Sequence, residues 1–328
     1  MQKMNELLIK KILSKVPKHL KPIDYLKDEL NISKESVYRR MRGEISFTLE
    51  EVSLIAKDLK FSIDELMDTQ EANYIFLSMM ANPSQEAVAM YEEMLTNSIS
   101  LLKEIYQQSK KVLITMALTS FPFKFFSFEN LFRFEYALFL HQQNQIPFGT
   151  SFSDILLPPA IKTLHQDLVN YVSHLPKIVC VVDDNIFSKL IKKIKYYYDL
   201  KFISNDDLQL LYIELTQLLK QIEKIVITGE SESRTSFSVY YSLLSIDTAC
   251  IHYEYDDMAI TQLWLCNEMP IILKNNPAVC LAQKKQLESQ IKYSTLITSS
   301  NTMLQAKLLR VLRNCIEELN QMSLHESN

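Results

Sequence analysis

The stretch PIDYLKDELNISKESVYRRMRGE, residues 22–44, decides how this chain is read. Pro22 suits the first turn of a helix, where its missing N–H would have had no partner. Ile23, Leu26 and Leu30 then recur at helical spacing. Asn31 follows, a residue that tolerates the left-handed backbone in which many helices end. Ser33 can cap a second helix over 34–42, and Gly43 stops it. Two short helices joined by Asn31, Ile32 and Ser33 have the spacing of a helix-turn-helix. On the second helix Val37 and Met41 stand four apart and face inward. Glu35, Arg39 and Arg42 lie opposite, roughly 140–200° around the wheel at ~3.6 residues per turn, and Tyr38 flanks them. Arginine can read guanine edges in pairs or hold phosphates, and tyrosine can reach a phosphate oxygen.

Working outward, residues 5–13 carry Leu8, Ile9, Ile12 and Leu13 as an apolar stripe. Thr48-Leu-Glu-Glu51 is a capping box that opens a fourth helix, with Val52, Ile55, Ala56 and Leu59 inward. Ser62-Ile-Asp-Glu65 is a second capping box that opens a short fifth helix. Residues 1–47 hold eleven Lys and Arg against six Asp and Glu, a local charge of +5. The whole chain carries −4, so the remainder sums to −9. A basic head on an acidic body is the charge pattern of a DNA-binding module joined to a partner domain.

The strings LKDELNIS (26–33), SVYRRMRG (36–43), TLEEVSLIAKDL (48–59) and SIDEL (62–66) resemble the Xre-type, or Cro/lambda-repressor-like, helix-turn-helix domain. The Tyr-Arg-Arg-x-Arg-Gly-Glu string is similar to a version common in large regulators of the Bacteroidetes. The resemblance covers about residues 20–67. It implies a five-helix domain whose third helix reads double-stranded DNA, with Ser33, Lys34, Glu35, Ser36, Tyr38, Arg39 and Arg42 in the reading positions. The chain departs from the family at Lys27, where a small alanine is usual, at Asn31, where glycine is frequent, and at Met41, where glutamate is frequent. Lys27 points to a looser helix contact or an extra phosphate ligand.

Glycine is scarce: Gly43, Gly149 and Gly229 are the only three in 328 residues. No two can share a motif, which excludes glycine-rich phosphate cradles and the G-x-S-x-G elbow. The five cysteines (Cys180, Cys250, Cys266, Cys280 and Cys315) form no C-x-x-C pair. Free thiols in a reducing cytoplasm are expected, with no metal and no cofactor. The most apolar stretch, 112–126, contains Pro122 and Lys124 and is too short to span a bilayer, which takes ~20 residues.

Beyond residue 80, Asn82-Pro83 starts a helix that reaches about Lys110, a connector or a dimer seam. Short β-branched runs lie at 112–116, 178–182 and 225–228, between helical patterns at 129–143, 154–173, 184–199 and 205–224. Residues 236–246, 249–255 and 259–266 read as an antiparallel meander, with Asp256-Asp257 as the last turn. Asn276-Pro277 opens a helix to about 291, and residues 301–322 form a final amphipathic one. The fold class expected is mainly α: a five-helix domain over 1–70, a connecting helix over 71–110, and a larger, helix-rich α+β domain over 111–328.

Asp183-Asp184, Asp206-Asp207 and Asp256-Asp257 fit capping and turn roles better than acid–base catalysis. The six histidines never fall at helical spacing with one another or with a cysteine. Eight phenylalanines crowd residues 121–139, as a core or as an apolar effector pocket or subunit interface. The reading is a DNA-binding transcriptional regulator, not an enzyme, acting as a homodimer. Its C-terminal domain dimerises, with a small-molecule or peptide effector as a further partner and no membrane. The rivals are an enzyme with an appended DNA-binding module and a peptide-sensing helical-repeat protein, the meander speaking against the latter.

Overall fold

A computed structural model of the chain describes residues 2–17, 20–59, 61, 63, 86–108, 111–122, 125–147, 149–256, 258–266, 269–273 and 277–325. The chain divides into two compact units, Met1–Ser78 and Met79–Asn328.

In the first unit, α1 (Gln2–Lys15), α2 (Pro22–Leu30), α3 (Lys34–Met41) and α4 (Leu49–Asp58) enclose one small core. Leu8, Ile12, Val16, Leu26, Val37, Phe47, Ile55, Ala56 and Phe61 fill it. The stripe on α1 differs from the one expected. It runs Leu8, Ile12 and, one residue past the helix, Val16, at steps of four, which turns Leu13 out to 54% exposure. The capping box at Ser62 and Glu65, and the helix it would open, lie outside the described residues.

The second unit combines helices with one seven-stranded sheet, the α+β architecture expected of it, and that sheet makes mainly α only a rough description of the chain as a whole. Its strands are β1 (Val112–Ala117), β2 (Lys177–Val182), β3 (Ser236–Tyr241), β4 (Ala249–Tyr255), β5 (Met258–Cys266), β6 (Met269–Leu273) and β7 (Thr295–Leu296), in the order β6-β5-β4-β1-β2-β3-β7. The centre β1-β2-β3 is parallel; the other pairings are antiparallel. The helices are α5 (Ala87–Gln108), α6 (Glu129–Gln142), α7 (Pro159–Ser173), α8 (Ser188–Asp199), α9 (Asn205–Thr228), α10 (Pro277–Lys292) and α11 (Thr302–His325). Strand alternation sorts the two faces. Ile114, Met116, Ile178, Cys180, Val239 and Ile251 face the large core that the helices other than α10 cover. Ala117, Val181 and Cys250 face the other way and meet Leu287 of α10.

Three details depart from the sequence reading. First, β3 is not part of the meander, which is β4-β5-β6. The parallel crossover through α8 and α9 sets β3 beside β2, and residues 242–248 then cross the strand ends to β4. The buried Asp183 carboxylate anchors that crossing, accepting from the backbone N–H groups of Ile246 (2.8 Å) and Asn185 (2.9 Å). Second, the β-branched run 225–228 is the last turn of α9, because Ile225 and Val226 are buried there. Gly229 ends the helix at φ 79°, where a Cβ would also lie 3.1 Å from the Thr298 methyl. Third, α5 is a layer of the second unit, packed on α7 with Tyr91, Leu95, Leu102 and Ile105 buried. Its expected start at Asn82-Pro83 and its expected end near Lys110 lie outside the described residues, as do Asn276 and the hairpin residue Asp257.

The phenylalanine-rich segment splits in two. Phe132 and Phe139 on α6 are buried around Tyr91, with ring centroids 6.1 and 5.0 Å away. Phe121, Phe125 and Phe126, on the segment after β1, are half-buried and line a cavity. Phe123 lies outside the described residues. Asp207 closes a capping box with Ser204 at the start of α9 and accepts from the Ser153 hydroxyl, whereas Asp184 accepts from the distant Tyr241 hydroxyl.

Candidate nucleic-acid interface

The helix-turn-helix is assembled by local chemistry. Asn31 ends α2 at φ 52°, ψ 44°, left-handed as the sequence suggested, and its N–H donates to the Lys27 carbonyl. Ser33 then caps α3, its hydroxyl accepting from the Ser36 N–H at 3.2 Å. Past α3, Gly43 takes φ 77°. The chain folds back beneath the helix, and the Glu44 and Ile45 N–H groups donate to the Arg39 carbonyl. Thr48 and Glu51 complete the capping box on α4.

Packing fixes which face of α3 is free. Val37 is fully buried against Leu26 and Ile55, and Met41 is half-buried beside them. Arg40 points the same way. Its Nε and Nη2 donate to the two Glu51 oxygens at 3.0 and 2.8 Å, and Nη1 donates to the Ser36 carbonyl at 3.3 Å. This fork joins α3 to α4, as the Tyr25 hydroxyl joins α2 to α4 by donating to Asp58 at 2.6 Å. Burial and that carboxylate together push the Tyr25 phenol above its ordinary range.

Six of the seven residues in the reading positions stand exposed: Ser33, Lys34, Glu35, Tyr38, Arg39 and Arg42. The seventh, Ser36, is half-buried, and its hydroxyl accepts from that of Ser33 at 2.9 Å. Ser33 and Ser36 thus spend polar atoms on the cap itself. Lys34 Nζ lies 2.9 Å from Asp24. The ammonium holds the Asp24 carboxyl below its usual range, and the carboxylate raises Lys34 in turn. Arg39 and Arg42 both reach Glu44, at 3.5 and 3.1 Å, with more than half of each guanidinium side chain in solvent.

Three side chains that shape this face escaped the reading of the helix wheel. Arg40 and Glu51 form the brace that aims α3, and Glu44 holds the two exposed arginines side by side. The alternation of Arg39 outward and Arg40 inward is visible on a wheel. Glu44 is not, because it lies past the end of the helix.

Electrostatically, the exposed face of α3 presents cations on a short rigid helix with hydroxyl donors at its start. That arrangement suits an anionic backbone and guanine edges. Among the described residues no group of three or more His, Cys, Asp and Glu side chains could hold a metal ion. No helix among them is long and apolar enough to cross a membrane.

Residues 17–111 match the family model of the BetR domain, a domain of helix-turn-helix-type regulators. The match covers α2, α3 and α4 and extends through α5. It supports a DNA-binding regulator segment at this end of the chain. No curated protein matches the chain, and neither does any solved structure.

Proposed function

We propose that the chain is a sequence-specific transcriptional regulator of the Xre type, whose α3 enters the major groove of duplex DNA. The observation that carries this reading is the division of α3. One face is locked by Val37 and the Arg40–Glu51 fork, and the other offers Arg39 and Arg42 to solvent. Tyr38, Lys34 and the capping serines flank the helix where it would meet phosphates, with Glu35 among them. A single recognition helix spans few base pairs, so the regulator acts as a homodimer on two half-sites about one turn, or a whole number of turns, apart. The second unit supplies the dimer contact and an effector response, and performs no chemistry of its own. Its place is the cytoplasm, where thiols such as Cys180 and Cys250 stay reduced.

The test pairs a footprint on genomic DNA with titrations of variants on operator and random duplexes. Arg39→Ala should cost ~1–3 kcal/mol at the operator and relax one base-pair preference. An unchanged operator-to-random ratio would show that α3 does not read sequence.

A further inference from the structure

Two cavities of the second unit share a wall. The inner one, about 120 Å³, lies between the sheet and the helices. Met116, Cys180 and Val239 line it from the sheet, and Leu102, Ile225 and Leu312 from α5, α9 and α11. Among the described residues that line it there is no Lys, Arg, His, Asp or Glu. Its size is near the ~150 Å³ of an apolar cavity that stays dry and admits benzene. The outer cavity, about 230 Å³, opens beyond the carboxyl end of β1, between α6 and α8. Thr119 and Ser120, Glu135 of α6, Lys189 and Lys193 of α8, and Trp264 of β5 line it. Leu118, Phe121, Pro122 and Ile251 belong to both walls.

The chemistry changes from the inner cavity to the outer one, from hydrocarbon to charge. Lys189 and Lys193 stand one turn apart on one face of α8, so both ammonium groups serve the same space. Among the described lining residues the one carboxylate against these two ammonium groups is that of Glu135. The two hydroxyls add donors at the same end. At the inner end burial pushes the Cys180 thiol up to about 12, so it stays neutral. The crevice beyond the carboxyl ends of parallel strands is also where open α/β sheets take ligands.

We propose that these two adjoining cavities open to one another at their shared wall and bind an amphipathic monocarboxylate, its hydrocarbon tail in the inner space and its carboxylate at Lys189 and Lys193. This goes beyond the DNA-binding reading and does not depend on it. The inner space holds a benzene-sized piece of about six carbons. The segment that crosses the shared wall extends the best straight-chain acid to about eight to ten carbons on the same volume argument. Up to that length each methylene should tighten binding about fourfold.

Trp264 is the only tryptophan in the chain and lies on the outer wall, so its fluorescence reports the site directly. The full chain, without DNA, is titrated with straight-chain acids of increasing length and with the matching primary alcohols, all below their micelle-forming concentrations. The expected result is a saturable change in emission, an optimum in the medium-chain range, and at least tenfold tighter binding of the acid than of its alcohol. In Lys189→Gln and in the double variant with Lys193→Gln, the preference for the acid should vanish while the alcohol still binds. Cys180→Met should shorten the best chain. The wild-type comparison of acid with alcohol needs no variant to fold. No saturable response to any acid, equal affinity for acid and alcohol, or an acid preference that survives loss of both lysines would each overturn the proposal. Because no DNA is present, these outcomes leave the reading of α3 untouched.

Discussion

Replacing Arg40 and Arg39 in turn, two neighbours in one helix, should separate folding from recognition. Arg40 makes three hydrogen bonds, two to Glu51 and one to the Ser36 carbonyl, and it and Glu51 are each 14% exposed. Breaking a fully buried pair by removing one partner costs ~3–5 kcal/mol. With this residual exposure, Arg40→Ala should cost about 2–3 kcal/mol. A unit of this size holds only ~4–12 kcal/mol in total at ~0.05–0.15 kcal/mol per residue, so a large share of its stability would go. Arg39→Ala and Arg42→Ala remove only exposed contacts to Glu44 and should stay within about 0.5 kcal/mol. Hydrogen exchange at the Val37 and Ile55 amides of the full chain reads the opening free energy of this core. Arg40→Lys should recover only part of the loss, because an ammonium cannot fork onto both carboxylate oxygens. A double-mutant cycle with Glu51→Ala should give a coupling above about 1 kcal/mol. If Arg40→Ala shifted the exchange by less than about 0.5 kcal/mol, or no more than Arg39→Ala did, the brace would be ornamental.

Other outcomes follow from single features. Glu44→Gln frees both exposed arginines and should tighten binding to any duplex about two- to fivefold, the worth of an exposed ion pair; an unchanged affinity for random DNA would refute the tether. Asn31→Ala should cost about 1 kcal/mol at the left-handed turn while Asn31→Gly costs nothing, read by the same amide exchange; equal losses would mean that the turn can relax. His165 is stacked on Phe132 with centroids 3.6 Å apart, and burial lowers it from 6.5 to about 4. Its folded pKa lies below its unfolded one. As pH falls below 6.5 the unfolded chain therefore takes a proton that the folded chain refuses, and stability drops until about pH 4, by up to about 3 kcal/mol. Comparing wild type with His165→Gln by denaturant melts across that window isolates the effect, and parallel pH profiles would contradict it.

The legible parts of the fold were those decided by neighbours in sequence. Asn31, Ser33, Gly43 and the Thr48–Glu51 box each act within three or four residues, so the helix-turn-helix could be drawn from its string alone. The wheel also separated Val37 from Arg39. What could not be read depended on distant partners. Residues 236–241 and 249–255 are two plausible strands with a short link, and nothing local says that β2 rather than β4 lies beside β3. The run 225–228 has strand-like composition, but the burial of Ile225 and Val226 on α9 overrode it. The aromatic crowding at 121–139 was plain. Its division into a packed cluster on α6 and a cavity wall after β1 was not, because that depends on which rings meet Tyr91.

The ends of the sheet bear on how a second copy could join. At one edge, β6 carries Pro270, which has no N–H to offer, and a register irregularity between Leu263 and Cys266 breaks its ladder with β5. At the other, β7 pairs with β3 through only two residues, and the Thr298 hydroxyl and the Ile297 N–H occupy the next backbone groups of Val239. Both edges are thereby blunted against strand addition, the route by which exposed sheets polymerise. A twofold partner gains little by continuing this sheet. The self-association expected of the regulator should bury side chains of helices, and its interface should be sought by substitutions on helix surfaces rather than at strand edges.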